Sequence, residues 1–510
     1  MGAARHPLGR GIEVLGTPVC VTALSVALAV ALRLPFVQDG AYTDEGGLML
    51  VARHWHEGGP TLYGDLFVDR PPALLLFWRL ALELGGLEAA RVLALLTTAV
   101  LVVAAGGFGY LLAGRRGTAW AAPATAALAA NPLLGTVSVN GELLAAPLTM
   151  LACLALLAAV TRPCGRRDNL LLVLAGALAA GALLVKQSVA DALVFGLVLA
   201  LTSALTGAWP WRRALRTLGL GTAGALVPLA LTVSWAGTEG PGVRTLWFTL
   251  YQFRLDAAAV MVRHSSSANN DRAMTLLGLA LISGIALVVL PGLWALGPRA
   301  RRHDPVTLAA LATVLVETLA VALGGSYWTH YLIGLVPGVA LVASAAAAGE
   351  RRRPLAVVPG LVAVLASAVV ATAVQAAAFA PASPDRSRAV AGWLRTASRP
   401  GDAGVITYGH ADVLATAGLA PSYPYLWTLP MRTLDPHLHR LVHLLEGPHA
   451  PTWVVRWSYL DSWQLDPTGR VQAALDQRYR LADTVCGVPV YLHRDERRSL
   501  PAAPGDCAPA

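Results

Sequence analysis

Charge is scarce in this 510-residue chain: 14% of its residues are Asp, Glu, Lys or Arg, while 55% are apolar and the mean hydropathy is +0.57. A soluble domain is about a quarter charged, so the composition excludes an ordinary water-soluble enzyme and, with so much apolar surface to hide, a disordered chain. Lysine is scarcer still, because Lys186 is the only one among the 39 basic residues. The five cysteines (Cys20, Cys153, Cys164, Cys486, Cys507) form neither a CxxC pair nor a zinc spacing, which leaves no sign of a zinc ribbon or a dithiol centre. A P-loop, a GxGxxG turn after a strand, a GxSxG elbow and an HExxH helix are all missing, so cytoplasmic nucleotide chemistry is unsupported. No fixed-period repeat is visible.

What is present is a series of long apolar runs. About 20 such residues are needed to cross the hydrocarbon core of a bilayer. Runs of this kind occur near 17–36, 88–112, 118–136, 142–161, 169–185, 189–208, 216–236, 274–296, 305–324, 331–348 and 354–380, giving eleven expected spans. The first follows Arg5 and Arg10 and superficially resembles a secretory signal, but its length and the lack of a small-residue cleavage site read as an uncleaved helix. The segment Pro71–Gly85 is apolar but short, with Arg79 and Glu83 at i,i+4, and reads as a helix lying along the membrane surface.

Loop charge then sets the topology. With 71–85 on the surface, Arg5/Arg10, Arg115/Arg116, Arg162/Arg166/Arg167, Arg212/Arg213/Arg216, Arg299/Arg301/Arg302 and Arg351/Arg352/Arg353 all fall on one side, against Glu13, Asp168, Asp304 and Glu350. Basic residues are retained in cytoplasmic loops, so this side is expected to be the cytoplasm, with the N-terminus on it. The net charge of +9 is thereby explained without a nucleic-acid partner. The other side receives loop 37–87, Glu142, Lys186–Gln187, the long loop 237–273, the turn Gly324–Tyr331 and everything beyond Ala380. Two units are expected: a membrane domain, 1–380, whose first outer loop is 37–87, and a small extracytoplasmic α/β domain, 381–510. In the latter, strand-like runs at 404–408, 452–457 and 488–494 alternate with helical stretches around 386–397, 436–446 and 469–478. If exported, Cys486 and Cys507 are free either to pair or to remain thiols.

Several residues on the expected outer side have the chemistry of a site. Tyr42-Thr43-Asp44-Glu45-Gly46-Gly47 follows the first span, and its adjacent carboxylates suit proton acceptance and orientation of a substrate hydroxyl. The same residues also suit a helix start, with Thr43 or Asp44 as N-cap. Asp69-Arg70-Pro71-Pro72 ends the loop with prolines fit for a first helical turn and an arginine able to grip phosphate or to anchor at the interface. Lys186 survives in a chain that otherwise uses arginine, which suggests a need for a compact ammonium charge. Glu142, in Val139-Asn140-Gly141-Glu142, is either a functional acid at membrane depth or a complement to a helix N-terminus. The turn Gly325-Ser326-Tyr327-Trp328-Thr329-His330-Tyr331 combines belt aromatics with one imidazole.

The Asp-Glu pair after the first span, the basic-Pro-Pro element opening a juxtamembrane helix, and Gly86-Leu87-Glu88-Ala89-Ala90-Arg91 leading the next span together resemble the polyprenyl-phosphate-dependent glycosyltransferases of the GT-C superfold. The pattern is similar to the protein O-mannosyltransferases and the lipid A aminoarabinose transferases (glycosyltransferase groups 39 and 83), over roughly residues 15–345. The resemblance implies that Asp44 engages the acceptor nucleophile with Glu45 as its neighbour, and that Arg70, Lys186, His330 and Tyr331 surround the donor phosphate. Glu142 falls where the family has a second outer-loop acid. Family and residues together imply an inverting transfer of a sugar from a polyprenyl-phosphate donor to an extracytoplasmic hydroxyl on protein, lipid or polysaccharide, by an integral protein of a bacterial plasma membrane. The Arg- and Ala-rich, Lys-poor usage points to a high-GC genome. A divalent cation held by Asp44, Glu45 and Glu142 stays open on the residues alone, whereas the mannosyltransferase resemblance leans against a metal. The rival readings are a flippase for lipid-linked glycans and a non-catalytic envelope scaffold.

Overall fold

The computed structural model describes residues 17–55, 62–161, 165–263, 267–349, 354–378, 385–504 and 507. Of the residues named above, Arg5, Arg10, Glu13, Arg162, Cys164, Glu350 and Arg351–Arg353 lie outside them. The apolar runs form helices: α1 (Pro18–Arg33), α4 (Leu87–Ala130), α5 (Gly141–Val160), α6 (Arg166–Val185), α7 (Asp191–Leu205), α8 (Trp211–Thr238), α11 (Ser267–Ile282), α12 (Ile285–Arg301), α13 (Pro305–Leu323), α14 (Val336–Ala347) and α15 (Val358–Ala378). Eight helical stretches among the described residues are long and apolar enough to span a membrane, or nine if α11 and α12, bent by 68° at Ser283–Gly284, are one span.

The difference from eleven lies in two places. Helix α4 has 44 residues but breaks at Ala113 and Gly114, where the chain turns back on itself and Thr118 Oγ1 donates to the Gly106 carbonyl at 3.1 Å; its two arms cover two of the expected runs. Helix α7 has only 15 residues. Many side chains on these helices face outward and are apolar, Leu231 on α8 being 67% exposed; only lipid makes that surface favourable. Inside the bundle, α4 packs on α1 and α14, α5 on α6, α6 on α8 and α7 on α13.

Between α1 and α4 run α2 (Thr43–His54) and α3 (Pro72–Leu84), the latter the short helix expected along the surface. The segment 237–273 is not a loop. It holds α9 (Val243–Trp247), a π turn (Phe248–Gln252) and α10 (Phe253–Arg263), after which α11 begins. Sparse burial on these helices weakened the periodic signal by which a helix is read from sequence.

The C-terminal residues form α16 (Arg386–Ala397), α17 (Ala411–Ala417), α18 (Thr428–Leu434), α19 (His439–Glu446) and α20 (Arg470–Arg478) around a five-stranded sheet. Its strands are β1 (Ala403–Thr407), β2 (Ala420–Pro421), β3 (Trp453–Arg456), β4 (Tyr479–Val485) and β5 (Val488–His493), in the order β2-β1-β3-β5-β4. Strand β1 is parallel to β2 and β3, and the β4–β5 hairpin is antiparallel at the other edge. Cys486 in the hairpin turn is disulfide-bonded to Cys507, so the two thiols do pair, their Cα atoms 5.7 Å apart. The apolar core runs without interruption from α2 and α4 into α16, α17 and the sheet.

Candidate active site

Helix α2 starts at Thr43, with Tyr42 rather than Thr43 or Asp44 at the cap position; the Glu45 side chain reaches back to accept the Tyr42 N–H at 3.0 Å. The same carboxylate receives Arg91 Nη2 at 2.8 Å, Arg91 Nε at 3.3 Å and the Val139 N–H at 2.8 Å. Arg91 in turn donates to the carbonyls of Phe36, Asp39 and Gly40. With its residue wholly buried and both oxygens saturated, Glu45 is a structural knot that ties the first loop to α4 and α5. The expectation of two reactive neighbours is therefore corrected: a carboxylate engaged in this way has no lone pair left for a substrate proton.

Asp44 is different. Half-buried, it accepts one hydrogen bond, from Trp427 Nε1 to Oδ1 at 2.8 Å, and among the described residues Oδ2 has none. Trp427 comes from the C-terminal region, which seats itself on the start of α2 because Gly46 and Gly47 have no side chains. A Cβ on Gly46 would lie 2.3 Å from the Asp412 backbone, and one on Gly47 2.4 Å from the Trp427 ring.

Across from Asp44 the loop ends in a second knot. Asp69 takes Arg70 Nη1 on one oxygen and Arg254 Nη2 on the other, each at 2.7 Å, while its carbonyl receives Gln187 Nε2 at 2.9 Å. Burial would raise the Asp69 carboxyl, but Arg254, Arg70 and Lys186 outweigh it and hold the acid below its usual value. Arg70 is half-buried, its side chain 19% exposed, and the cost is offset by Asp69, Asp44, Tyr331 and Glu142, which together hold its guanidinium firmly charged. Its Nε and Nη2 make no hydrogen bond among the described residues. These are the donors a phosphate would use.

Glu142 lies in the first turn of α5, placed by Asn140, whose side chain accepts the Leu143 N–H at 3.0 Å. Its Oε1 pairs with Lys186 Nζ at 2.8 Å, both groups being buried. Lys186 ends α6, its ammonium 5.4 Å from the centre of the Tyr331 ring. Burial pulls the ammonium below its ordinary value against the opposing charge of Glu142. His330 meets Tyr331 edge to face at 5.1 Å and lies in the electrostatic field of Glu142, Asp44, Lys186 and Arg70. The residues singled out in sequence thus converge at one end of the bundle, with Glu45 in a supporting position.

Beside this cluster is a cavity of about 480 Å³, lined by Glu142, Lys186, Gln187, Arg254 and Tyr331, by Asp191 and Glu317, and by apolar residues such as Leu250, Leu255 and Val321. Asp44 and Arg70 are not among its lining residues. Neither is a chelating set present: among the described residues no three His, Cys, Asp or Glu side chains are grouped to hold a metal. Glu45 and Glu142 are already neutralised by cations, so the trio Asp44, Glu45 and Glu142 does not fit a divalent ion.

No family model and no curated protein matches the chain. Solved structures do. ArnT from Cupriavidus metallidurans in its apo state aligns with a TM-score of 0.62 at 15% identity, over 95% of this chain and 98% of that one. The same enzyme bound to undecaprenyl phosphate gives 0.57 at 12%, over 93% and 97%. The oligosaccharyltransferase of Archaeoglobus fulgidus, apo, gives 0.57 at 13%, over 91% of this chain and 73% of that one. The chain has the GT-C fold. At these identities the likeness is one of fold, and the GT-C frame accounts for the gathering of distant loops at one end of the bundle.

Four further residues of the candidate site are not marked by the sequence. Asp69 and Arg91 lie within Asp69-Arg70-Pro71-Pro72 and Gly86-Leu87-Glu88-Ala89-Ala90-Arg91, where no local pattern sets them apart from their neighbours. Arg254 lies on α10, a helix whose sparse burial leaves no clear period in the sequence. Trp427 is 383 positions from Asp44, and nothing local marks it.

Proposed function

We propose that the chain is a membrane glycosyltransferase that moves a sugar from a polyprenyl-phosphate donor to an extracytoplasmic hydroxyl with inversion. The observation that carries the reading is that Asp44, with one carboxylate oxygen open among the described residues, lies in the field of Arg70 and its open guanidinium donors, beside a cavity lined by both polar and apolar residues. A lipid phosphate needs such a pairing of cations with apolar walls. The solved neighbours support it: one is described with undecaprenyl phosphate bound, and an A. fulgidus structure with an inhibitory peptide and a dolichol-phosphate.

In this mechanism Arg70 binds the phosphate through Nε and Nη2, with Arg254 and Lys186 adding positive charge beside it. As the bond between the anomeric carbon and the phosphate oxygen breaks, negative charge builds on the phosphate, and fixed donors in a desolvated site stabilise that change. Asp44 Oδ2 takes the proton of the acceptor hydroxyl, whose oxygen bonds to the anomeric carbon from the face opposite the departing phosphate. Trp427 keeps Oδ1 occupied, so the accepting oxygen is defined. The membrane orientation fitting this reading has the N-terminus in the cytoplasm and the site outside, as the loop arginines require.

The test uses membranes and polyprenyl-phosphate sugars labelled in the sugar. Asp44→Asn is expected to lower transfer by at least about 10²-fold, within the range by which general-base catalysis contributes, and to leave binding of the donor lipid unchanged. Full transfer by that variant would overturn the assignment; a flippase or scaffold would tolerate it.

A further inference from the structure

The cavity is also lined by two carboxylates that the mechanism does not use, Asp191 in the first turn of α7 and Glu317 in α13. Both are buried, 3% exposed each. Each lies in the field of the other, and the thiol of Cys153 on α5 lies in the field of both. Among the described residues no basic side chain is paired with either. Glu317 is fixed by the Gly338 N–H, which donates to Oε1 at 2.9 Å, and α14 can come this close because position 338 is glycine: a Cβ there would stand 2.0 Å from Oε2. That Oε2 is buried and has no partner.

Two further lining residues share the condition, since Glu142 Oε2 and Gln187 Oε1 are also buried without a partner. The cavity therefore holds several polar oxygens without partners among otherwise apolar lining residues. Such groups are costly when left unmade. An alkyl chain filling the space beside them would strand them. A polyhydroxylated or amino-bearing ring would satisfy them, because each hydroxyl or ammonium brings donors.

Resting on the reading of the donor as a polyprenyl-phosphate sugar, we infer that Glu317 and Asp191, with Gln187 and Glu142 nearer the phosphate, form the subsite that receives the sugar ring and selects it by its hydrogen-bond donors. A site built to hydrogen-bond a substrate hydroxyl discriminates strongly against ligands lacking it, since its own buried groups are then left unpaired.

The experiment measures binding of undecaprenyl phosphate, bare or carrying mannose, glucose, arabinose or an amino sugar, to the full-length protein in detergent. At least one sugar-bearing lipid is expected to bind the wild type more tightly than the bare lipid. Glu317→Leu and, separately, Asp191→Asn should remove at least tenfold of that preference while bare-lipid affinity stays within twofold, which also shows that the variants are folded. Arg70→Ala should weaken every lipid, bare ones included. Should Arg70→Ala leave bare-lipid binding intact, the donor reading fails and this inference with it. If Arg70→Ala acts as expected but the sugar preference survives in both acid variants, or the wild type prefers no sugar-bearing lipid, the inference alone is wrong.

Discussion

Asp44 and Glu45 are consecutive residues with the same functional group, and their surroundings give them opposite roles. On a helix, neighbours in sequence point about 100° apart. Glu45 thus turns into the body of the protein, where Arg91 fills its oxygens, and Asp44 turns toward the polar cluster. The Glu45–Arg91 pair is buried, at 2.8 Å with side chains 0% and 3% exposed. Removing one partner of such a pair strands the other charge and costs about 3–5 kcal/mol. Arg91→Met should accordingly unfold at a markedly lower temperature in detergent, and Glu45→Gln combined with Arg91→Met should recover part of the loss. A Glu45→Gln protein as stable as wild type but devoid of transfer would instead return Glu45 to the chemistry.

At the scale of elements, the sequence was most legible where a single period ran undisturbed. The expected helices at 386–397 and 469–478 became α16 and α20, and the three strand-like runs became β1, β3 and β5 within a residue or two. Helices α17 and α18 and strand β4 were missed: the first two have seven residues each, too few to display a period, and β4 buries little. The site was legible as a set of residue types but not as a set of partners, because every decisive contact joins distant segments: Glu45 to Arg91 and Val139, Asp69 to Arg254, Asp44 to Trp427. The last of these can be isolated. Trp427→Phe keeps a ring over Gly47 and deletes the N–H donated to Asp44, and hydrogen bonds to charged groups are worth about 1.5–3 kcal/mol. Transfer is expected to slow about tenfold or more at saturating donor, with donor-lipid affinity unmoved. Equal loss of both would mean that the indole only props the helix.

For the molecule as a whole, the C-terminal region is not an appendage, since its core is continuous with that of the bundle and its seat is the start of α2. The junction contains Asp412, whose carboxyl burial pushes up to about 6 despite a hydrogen bond from Thr43. A carboxyl raised in the folded state stabilises below its unfolded value near 4 and loses that contribution as pH climbs through about 6. Asp412→Asn should thus match wild-type stability near pH 4 and exceed it progressively up to pH 6, by as much as about 3 kcal/mol thereafter. His410 Nδ1 lies 3.6 Å from the Asp412 carboxyl and is pushed down to about 4 by burial and Arg386, so the difference is read above pH 5, where the imidazole is neutral. A flat difference from pH 5 upward would show that Asp412 is hydrated in the folded protein.

The solitary lysine has a consequence of another kind. Arginine does not acylate under conditions in which a primary amine does, and here the only side-chain amine in 510 residues sits against Glu142 in the lining of the cavity. Bulk solvent barely reaches it. The protein thus carries a built-in chemical address: amine-directed reagents have a single internal destination, and whatever occupies the cavity stands guard over it.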